Sequence, residues 1–176
     1  MSETRRRILT TAARLFYQQG YTLTGINQLI AEAGVAKASL YQHFRTKDEV
    51  LLAYLAEASA QWRLHAEAAV AGVASPREQV LAVFELLREQ QTRTDFRGCN
   101  FQHALIQAPA EETQVRRLIQ EHKQRIHQFF ASLLPTDSRI GAEELALLYE
   151  GALMACQIHQ NQIPVDTAQA MVKRLL

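Results

Sequence analysis

The sequence predicts an all-α protein of about nine helices, because apolar residues recur at the helical period along most of the chain. The four prolines and seven glycines lie mostly between these periodic segments, where they separate one helix from the next. No segment shows the alternation of apolar and polar residues that is typical of a strand. With 176 residues, of which 48% are hydrophobic, the chain is long enough to bury a sizeable core.

Apolar periodicity and capping residues place the helices along the chain. The expected spans are about 3–19, 25–33, 37–44, 47–70, 76–92, 101–107, 111–134 and 142–160, followed by a last helix that begins after Asp166. Thr24 is the expected N-cap of the second helix. Thr46 with Glu49, and Ser75 with Glu78, have the spacing of a capping box, which predicts a helix start at each pair.

Charge is distributed unevenly along a chain whose formal net charge is only +1. Residues 1–47 hold seven Lys and Arg against two Glu, whereas the remainder holds 12 basic residues against 16 acidic ones. A basic first quarter joined to an acidic remainder indicates a module that binds a polyanion, attached to a body with another task. We therefore expect two domains, residues 1–47 and residues 48–176.

The second and third helices are short and are joined by Ala33-Gly34-Val35-Ala36, which is the pattern of a helix-turn-helix. The third helix carries polar side chains that are not needed to pack the core. A helix of eight residues is about 12 Å long, close to the width of the major groove of DNA. Lys37 and Gln42 are suited to contact base edges, and Tyr41 and His43 are able to donate hydrogen bonds to phosphates.

These residues resemble the DNA-binding domain of TetR-type transcriptional repressors. The matching positions lie within about residues 5–55 and are Gly20-Tyr21, Thr24, Ile26, Ala33-Gly34-Val35-Ala36-Lys37, Leu40-Tyr41-Gln42-His43-Phe44 and Lys47-Asp48. The resemblance implies an all-helical homodimer. Its N-terminal helix-turn-helix domain would bind double-stranded operator DNA, and its C-terminal helical domain would bind a small-molecule inducer and form the dimer.

The resemblance also implies which residues contact DNA. They are Thr24, Gly25, Ala36, Lys37, Ala38, Ser39, Tyr41, Gln42, His43 and Lys47. Ala36 stands where the family often has a serine, so the capping hydroxyl is missing there. Gln42 occupies a position that varies within the family, so its identity does not name the operator.

The segment 145–158 is apolar nearly all round, with Glu150 as its only charged residue. A helix of this kind must be buried on more than one side. One side is expected to face the core and another to face a second subunit, and Gly151 would allow a neighbouring helix to approach closely. We therefore expect a homodimer in which the last two helices pair with their symmetry mates.

An inducer pocket is expected among the fourth to eighth helices, lined by apolar and aromatic groups with a few polar ones. The candidate lining residues are Trp62, Phe84, Phe96, Cys99, His103, Gln107, Tyr149 and Gln157. A ligand that prefers one tilt of the long fourth helix would change the separation of the two DNA-contacting helices in the dimer. We expect repression without ligand and release with it, although the sequence leaves the opposite sign open.

The sequence carries none of the common catalytic motifs. It has no Gly-x-Gly-x-x-Gly, no phosphate loop, no nucleophile elbow and no His-Glu-x-x-His, so we expect no enzyme activity and no cofactor. It also has no run of about 18 apolar residues, and it begins with a charged segment rather than an apolar signal core. We therefore expect a cytoplasmic protein that does not span a membrane.

Two alternatives remain at this point. Cys99 and Cys156 are expected to be buried apolar residues, and no metal site is predicted. If Cys99, His103 and Cys156 converged, however, the protein would be a metal- or thiol-responsive regulator of the same fold. A helical adaptor that binds another protein is the second alternative, and it would show no salt-dependent affinity for DNA.

Overall fold

The computed structural model describes residues 2–108 and 113–176, which form nine α-helices and no strand. The helices are α1 (Glu3–Gln18), α2 (Ile26–Ala33), α3 (Lys37–His43), α4 (Lys47–Val70), α5 (Pro76–Arg93), α6 (Asn100–Gln107), α7 (Thr113–Leu133), α8 (Ala142–His159) and α9 (Ile163–Leu175). For these residues the predicted fold class is confirmed. The predicted start of the seventh helix at Glu111 lies outside the described residues. In the described ranges, none of the helices is both long and apolar enough to cross a membrane.

Side-chain caps begin α4 and α5 where the sequence predicts them. The Thr46 hydroxyl accepts a hydrogen bond from the backbone N–H of Glu49 at 3.1 Å, and the Ser75 hydroxyl accepts one from Glu78 at 3.4 Å. The Glu49 carboxylate accepts from the backbone N–H of Arg45 at 2.7 Å. These bonds satisfy donors that have no partner within a helix, so local sequence alone fixes where both helices start.

The start of α2 differs from the prediction in its capping residue. Gly25, not Thr24, is the N-cap, and α2 begins at Ile26. The Thr24 side chain is fully buried, and its hydroxyl donates to the backbone carbonyl of Gly20 at 2.7 Å. A threonine hydroxyl bonds a nearby backbone group as readily as it caps a helix, and here it closes the preceding turn instead.

The last helix begins earlier than predicted. It starts at Ile163 instead of after Asp166, and Asp166 lies in its first turn. Pro164 occupies one of the first positions of the helix, where a backbone N–H would have no hydrogen-bond acceptor within the helix, so its missing N–H costs nothing. Gln162, not Asp166, is the N-cap and makes no side-chain capping bond, while the side-chain carbonyl of Asn161 accepts the N–H of Ile163 at 3.0 Å.

Backbone contacts divide the chain into two compact units. The N-terminal unit comprises Met1–Ala60 and Asn100–Gln120, and the C-terminal unit comprises Gln61–Cys99 and Glu121–Leu176. Helices α4 and α7 therefore contribute residues to both units, and α6 belongs to the N-terminal unit. The functional boundary between residues 47 and 48 rests on charge and stays a prediction.

In the N-terminal unit, α1, α2 and α3 pack against one another around a shared apolar core. Its buried members include Ile8, Leu15, Phe16, Leu29, Leu40 and Phe44. The turn between α2 and α3 passes through Gly34, whose backbone is left-handed with a φ of 60°. A Cβ there would lie 2.4 Å from the guanidinium of Arg7, which donates to the Gly34 carbonyl at 2.9 Å. The turn therefore depends on glycine both for its conformation and for this contact.

The core of the C-terminal unit is aromatic. Phe84, Phe130 and Tyr149 contact one another with ring centroids 5.8–5.9 Å apart. The indole N–H of Trp62 donates to the Tyr149 hydroxyl at 3.1 Å. Burial raises the pKa of Tyr149 because the phenolate form would lose its solvation, so the hydroxyl stays protonated as the acceptor of this bond.

His122 packs edge-on against Trp62 in the same core, with ring centroids 5.8 Å apart, and is only 3% exposed. Burial, together with the neighbouring charges of Lys123 and Arg125, lowers the pKa of His122 to about 3. The imidazole is therefore neutral in the folded protein at any pH that the cell experiences.

This buried histidine predicts a specific loss of stability in mild acid. The unfolded chain takes up the His122 proton near pH 6.5, whereas the folded chain does so only near pH 3. Stability is therefore fully present above pH 6.5 and falls as the pH drops towards 3. Between pH 7.5 and 5.5 we expect wild type to lose about 1 kcal/mol more free energy of unfolding than His122→Phe does. Urea unfolding at fixed protein concentration measures this difference.

The exposed His65 on α4 provides the control for that measurement. His65→Gln should follow the wild-type dependence on pH, because this change leaves the buried His122 and its surroundings in the folded protein unchanged. Equal pH dependence of wild type and His122→Phe would show that His122 titrates normally in the folded protein.

Candidate nucleic-acid interface

Helix α3 is anchored on one side and exposed on the other. Leu40, within the helix, and Phe44, which follows it, are buried. Lys37 and Tyr41 are one helical turn apart and both exposed, as are Ala38 and Gln42. The exposed predicted contact residues on and beside this helix are Ala36, Lys37, Ala38, Tyr41, Gln42 and His43, and Ser39 is half-buried. The helix therefore presents amide, ammonium and phenol groups to solvent without using them in the core.

The N-terminal end of α2 is open to an approaching group. Gly25 is exposed, and a Cβ at this position would have no atom within 4 Å. The first N–H groups of any helix point outward and carry partial positive charge, which attracts anions such as phosphate. Thr24 does not offer its hydroxyl here, because that group bonds Gly20. Thr24 instead supports the start of α2 from inside the unit.

Lys47, at the start of α4, holds the segment that precedes α2. Its ammonium donates to the carbonyls of Tyr21 at 3.0 Å and Thr24 at 3.1 Å, and it lies 4.1 Å from the centroid of the Tyr21 ring. The Tyr21 hydroxyl in turn donates to the carboxylate of Asp48. Burial lowers the pKa of Lys47, and the charge of Asp48 partly opposes this. An ammonium has three N–H donors, so one remains after these two bonds.

The first residues of α1 lie beside the end of α3. Ser2 caps α1 by accepting from the N–H of Arg5 at 3.2 Å, and its hydroxyl is also 3.2 Å from the Nε2 of His43. The guanidinium of Arg5 lies 5.3 Å from the ring centroid of Phe44. No pattern in the sequence indicated that Ser2 or Arg5 lies at this surface. Only the net basic charge of the first quarter pointed to this end of the chain.

The residues predicted to line an inducer pocket divide between the two units. In the C-terminal unit Trp62, Phe84, Cys99 and Tyr149 are buried, and Phe96 and Gln157 are half-buried. His103 and Gln107 belong to the N-terminal unit. There the imidazole of His103 stacks on Tyr17 at 6.0 Å, and Gln107 accepts a hydrogen bond from the backbone N–H of Thr22.

Both cysteines are buried and carry free thiols. Burial raises the pKa of Cys156, which keeps this thiol protonated and poorly reactive. Within the described residues, no group of three or more His, Cys, Asp or Glu side chains is placed to hold a metal ion. The described part of the chain therefore offers no support for the metal-responsive alternative.

Comparison with known proteins connects this surface to a family. The family model of bacterial regulatory proteins of the tetR family matches residues 8–54. The regulator LmrA from Bacillus subtilis is 55% identical over 42 residues, which is 24% of this chain and 22% of LmrA. The regulator YxaF from the same organism is 49% identical over 49 residues, 28% of this chain and 26% of YxaF. These two matches span only about a quarter of each relative's own length.

Similarity to one solved structure extends over nearly the whole chain. The crystal structure of a TetR-family transcriptional regulator from Streptomyces coelicolor is 31% identical, with a TM-score of 0.90, and covers 99% of this chain and 95% of that one. Members of this family are regulators and not enzymes, which agrees with the lack of catalytic motifs. With this match in sequence and fold, the chain belongs to the TetR family of bacterial transcriptional regulators, and its first helices are the helix-turn-helix of that family.

Proposed function

We propose that this protein is a cytoplasmic, sequence-specific transcriptional repressor that binds its operator as a homodimer and is released by a small-molecule inducer. The observation that carries the proposal is the exposed polar face of α3, fixed from below by Leu40 and Phe44. A helix held in this way is able to enter the major groove without rearranging its own core. A regulator that acts on bacterial DNA works in the cytoplasm, which is the reason for placing it there.

Each predicted DNA-contacting residue has a role in this proposal. Lys37 and Gln42 contact base edges, since an ammonium donates to guanine acceptors and a carboxamide pairs with adenine. Tyr41 and His43 donate to phosphates, and Ser39 adds a hydroxyl at the edge of the same face. Ala36 and Ala38 are small, so the helix is able to approach the bases closely. The N-terminal end of α2 at Gly25 binds a phosphate, Thr24 supports it, and Lys47 directs its remaining N–H to the backbone of the DNA.

An apolar face on α8 and α9 supports the homodimer. Leu147 and Ile158 on α8 are 74% and 67% exposed, and Ile163 on α9 is 68% exposed. Gly151 lies in the groove between the two helices and has no atom within 4 Å of a Cβ position. Large exposed apolar side chains on adjacent helices are typical of a subunit interface, and TetR-family regulators typically dimerise. Two copies related by a two-fold axis would present two α3 helices to the two halves of an inverted repeat.

The core of the C-terminal unit is the proposed site for the inducer. It combines aromatic surface at Phe84 and Tyr149 with polar atoms at Trp62. The carbonyl oxygen of the Gln91 side chain, also in this unit, is buried and has no hydrogen-bond partner among the residues that the structure describes. A buried acceptor without a donor is unfavourable, so a ligand that supplies an N–H or O–H gains affinity from it. The predicted class of inducer is therefore an aromatic or apolar molecule with at least one donor.

The DNA-binding proposal predicts that Lys37 and Gln42 set base preference. Selection from a random duplex library should enrich one inverted repeat, and fluorescence anisotropy then gives the dissociation constant for that duplex. Lys37→Ala and Gln42→Ala should each weaken binding by about 1–3 kcal/mol and relax preference at one position in each half-site. Gln114→Ala, an exposed change on α7, is the control and should bind like wild type. Failure of the wild-type protein to enrich any inverted repeat would overturn the proposal.

The dimer proposal predicts a change in mass when charge is placed on the apolar face. Wild type should have twice the mass of the 19.9 kDa chain in light scattering at micromolar concentration. Leu147→Glu combined with Ile158→Glu should give the mass of one chain. A two-fold interface contains both copies of each substituted residue, so it would bury every unpaired carboxylate in two places. Leu64→Glu is the matched control, since Leu64 is 51% exposed on α4 in the same unit. A wild-type monomer, or a dimer unaffected by the double change, would contradict this interface.

The inducer proposal predicts a link between core fluorescence and DNA affinity. Trp62 is the only tryptophan in the chain, so its emission reports on ligands that enter this core. Compounds from a chemical library that shift the Trp62 emission should weaken binding to the enriched duplex about 5- to 150-fold. Tyr149→Phe removes the acceptor of the Trp62 bond and should alter the emission without ligand. If compounds at saturating concentration shifted the Trp62 emission and left the affinity for DNA unchanged, this core would not be the site that regulates DNA binding.

A further inference from the structure

Helix α6 packs against the helices that carry the DNA-contacting surface. At its first turn, the Asn100 side chain donates to the Tyr54 hydroxyl of α4 at 3.0 Å. In its middle, His103 stacks on Tyr17 of α1. Phe101 and Ala104 are buried within the N-terminal unit. Helix α6 is thus a structural part of that unit, although more than fifty residues separate it in sequence from Lys47.

The last residue of α6, Gln107, holds the segment 20–24 between α1 and α2. Its side-chain carbonyl accepts the backbone N–H of Thr22 at 3.2 Å, and its backbone carbonyl lies 3.5 Å from the Thr22 hydroxyl. The carboxamide also lies against Gly20, where a Cβ would be 2.5 Å from the same oxygen and where φ is +91°. The Gln107 side chain is therefore able to occupy this position only because residue 20 is glycine and has no Cβ.

The segment 20–24 has further polar partners on its other sides. The Gln19 side chain donates to the Thr24 hydroxyl at 3.2 Å, and Lys47 donates to the carbonyls of Tyr21 and Thr24. Gln19 is the C-cap of α1, and Lys47 is the first residue of α4. Gln107 is 85 residues from Thr22 in sequence. Its contact with the segment 20–24 therefore requires α6 to lie beside that segment.

Packing leaves α6 little freedom to move without breaking these contacts. The cavity lined by Phe16, Tyr54, His103 and neighbouring side chains has a volume of about 10 Å³, roughly the space of one water molecule. A displacement of α6 by an ångström or more would therefore disturb the packing or the bonds at its ends. Cys99, directly before α6, belongs to the C-terminal unit, so the chain leads from that unit straight into this helix.

We propose that Gln107 is a positioning residue for DNA binding. By holding Thr22, it fixes the segment 20–24 and with it the N-terminal end of α2, which the proposed function assigns to a phosphate. This inference rests on the proposed function and adds to it a residue that acts through Thr22.

Gln107→Ala tests the inference on the full-length protein. Its dissociation constant for the enriched inverted repeat should rise about 5- to 30-fold, because the bond is lost in both subunits. Binding to an unrelated duplex of the same length should weaken by a comparable factor, because a phosphate contact at the end of α2 does not depend on base sequence. The Thr22 amide should exchange hydrogen faster in the variant, which reports on the segment without any DNA.

Two further variants separate positioning from general damage. Gln107→Glu keeps an oxygen acceptor for the Thr22 N–H, so its Thr22 exchange and its preference for the inverted repeat should remain close to wild type. Gln120→Ala, an exposed glutamine on α7 in the same unit, should match wild type throughout. Thermal unfolding of each variant sets the temperature at which all are folded.

The outcomes distinguish this inference from the proposed function. If wild type enriches no inverted repeat, both fail. If wild type does enrich one but Gln107→Ala binds it equally well, only the inference on Gln107 is overturned. A wild-type rate of Thr22 amide exchange in Gln107→Ala, or exchange in Gln107→Glu as fast as in the alanine variant, would also overturn it, since the Gln107 carbonyl would then not hold this segment.

Discussion

The burial of Leu40 and Phe44 is the constraint on which the rest of the N-terminal unit depends. A helix of seven residues has almost no stability by itself, because nucleation fixes several dihedral angles for very few hydrogen bonds. It exists here because its apolar side chains are removed from water, at roughly 1.5–3 kcal/mol for each large side chain. The same packing fixes which face points outward, so the stability of α3 and its accessibility to DNA have one cause.

The contacts around the segment 20–24 extend this constraint to α2. Thr24 closes the segment from within, Lys47 holds its carbonyls from α4, and Gln107 holds its amide from α6. None of these bonds is strong alone, since a single hydrogen bond contributes about 1 kcal/mol net. Together they define one geometry for a short turn that carries the start of a helix. Small shifts of α4 or α6, which supply Lys47 and Gln107, would therefore reach the proposed phosphate site directly.

Most helix starts with a local signal were predictable from the sequence, whereas contacts with distant partners were not. Thr46 and Ser75 marked their helix starts correctly, because a cap bonds a residue only three positions away. Thr24 has the same local signal, yet its hydroxyl bonds Gly20. The exposed polar face of α3 was predictable, since amphipathic spacing within one short helix determines it. The partners of Gln107 were not, because nothing in the sequence connects position 107 with Thr22.

This difference bears on how the DNA-binding part of the molecule is delimited. The family model matches residues 8–54, the segment in which local signals are dense. The compact unit to which that segment belongs also contains Asn100–Gln120, and α6 packs on α1. A sequence motif thus identifies the surface that meets DNA but not the residues that hold this surface in place. One of those supports comes from a segment that directly follows the C-terminal unit, so the unit that carries the helix-turn-helix is assembled from two separate stretches of the chain.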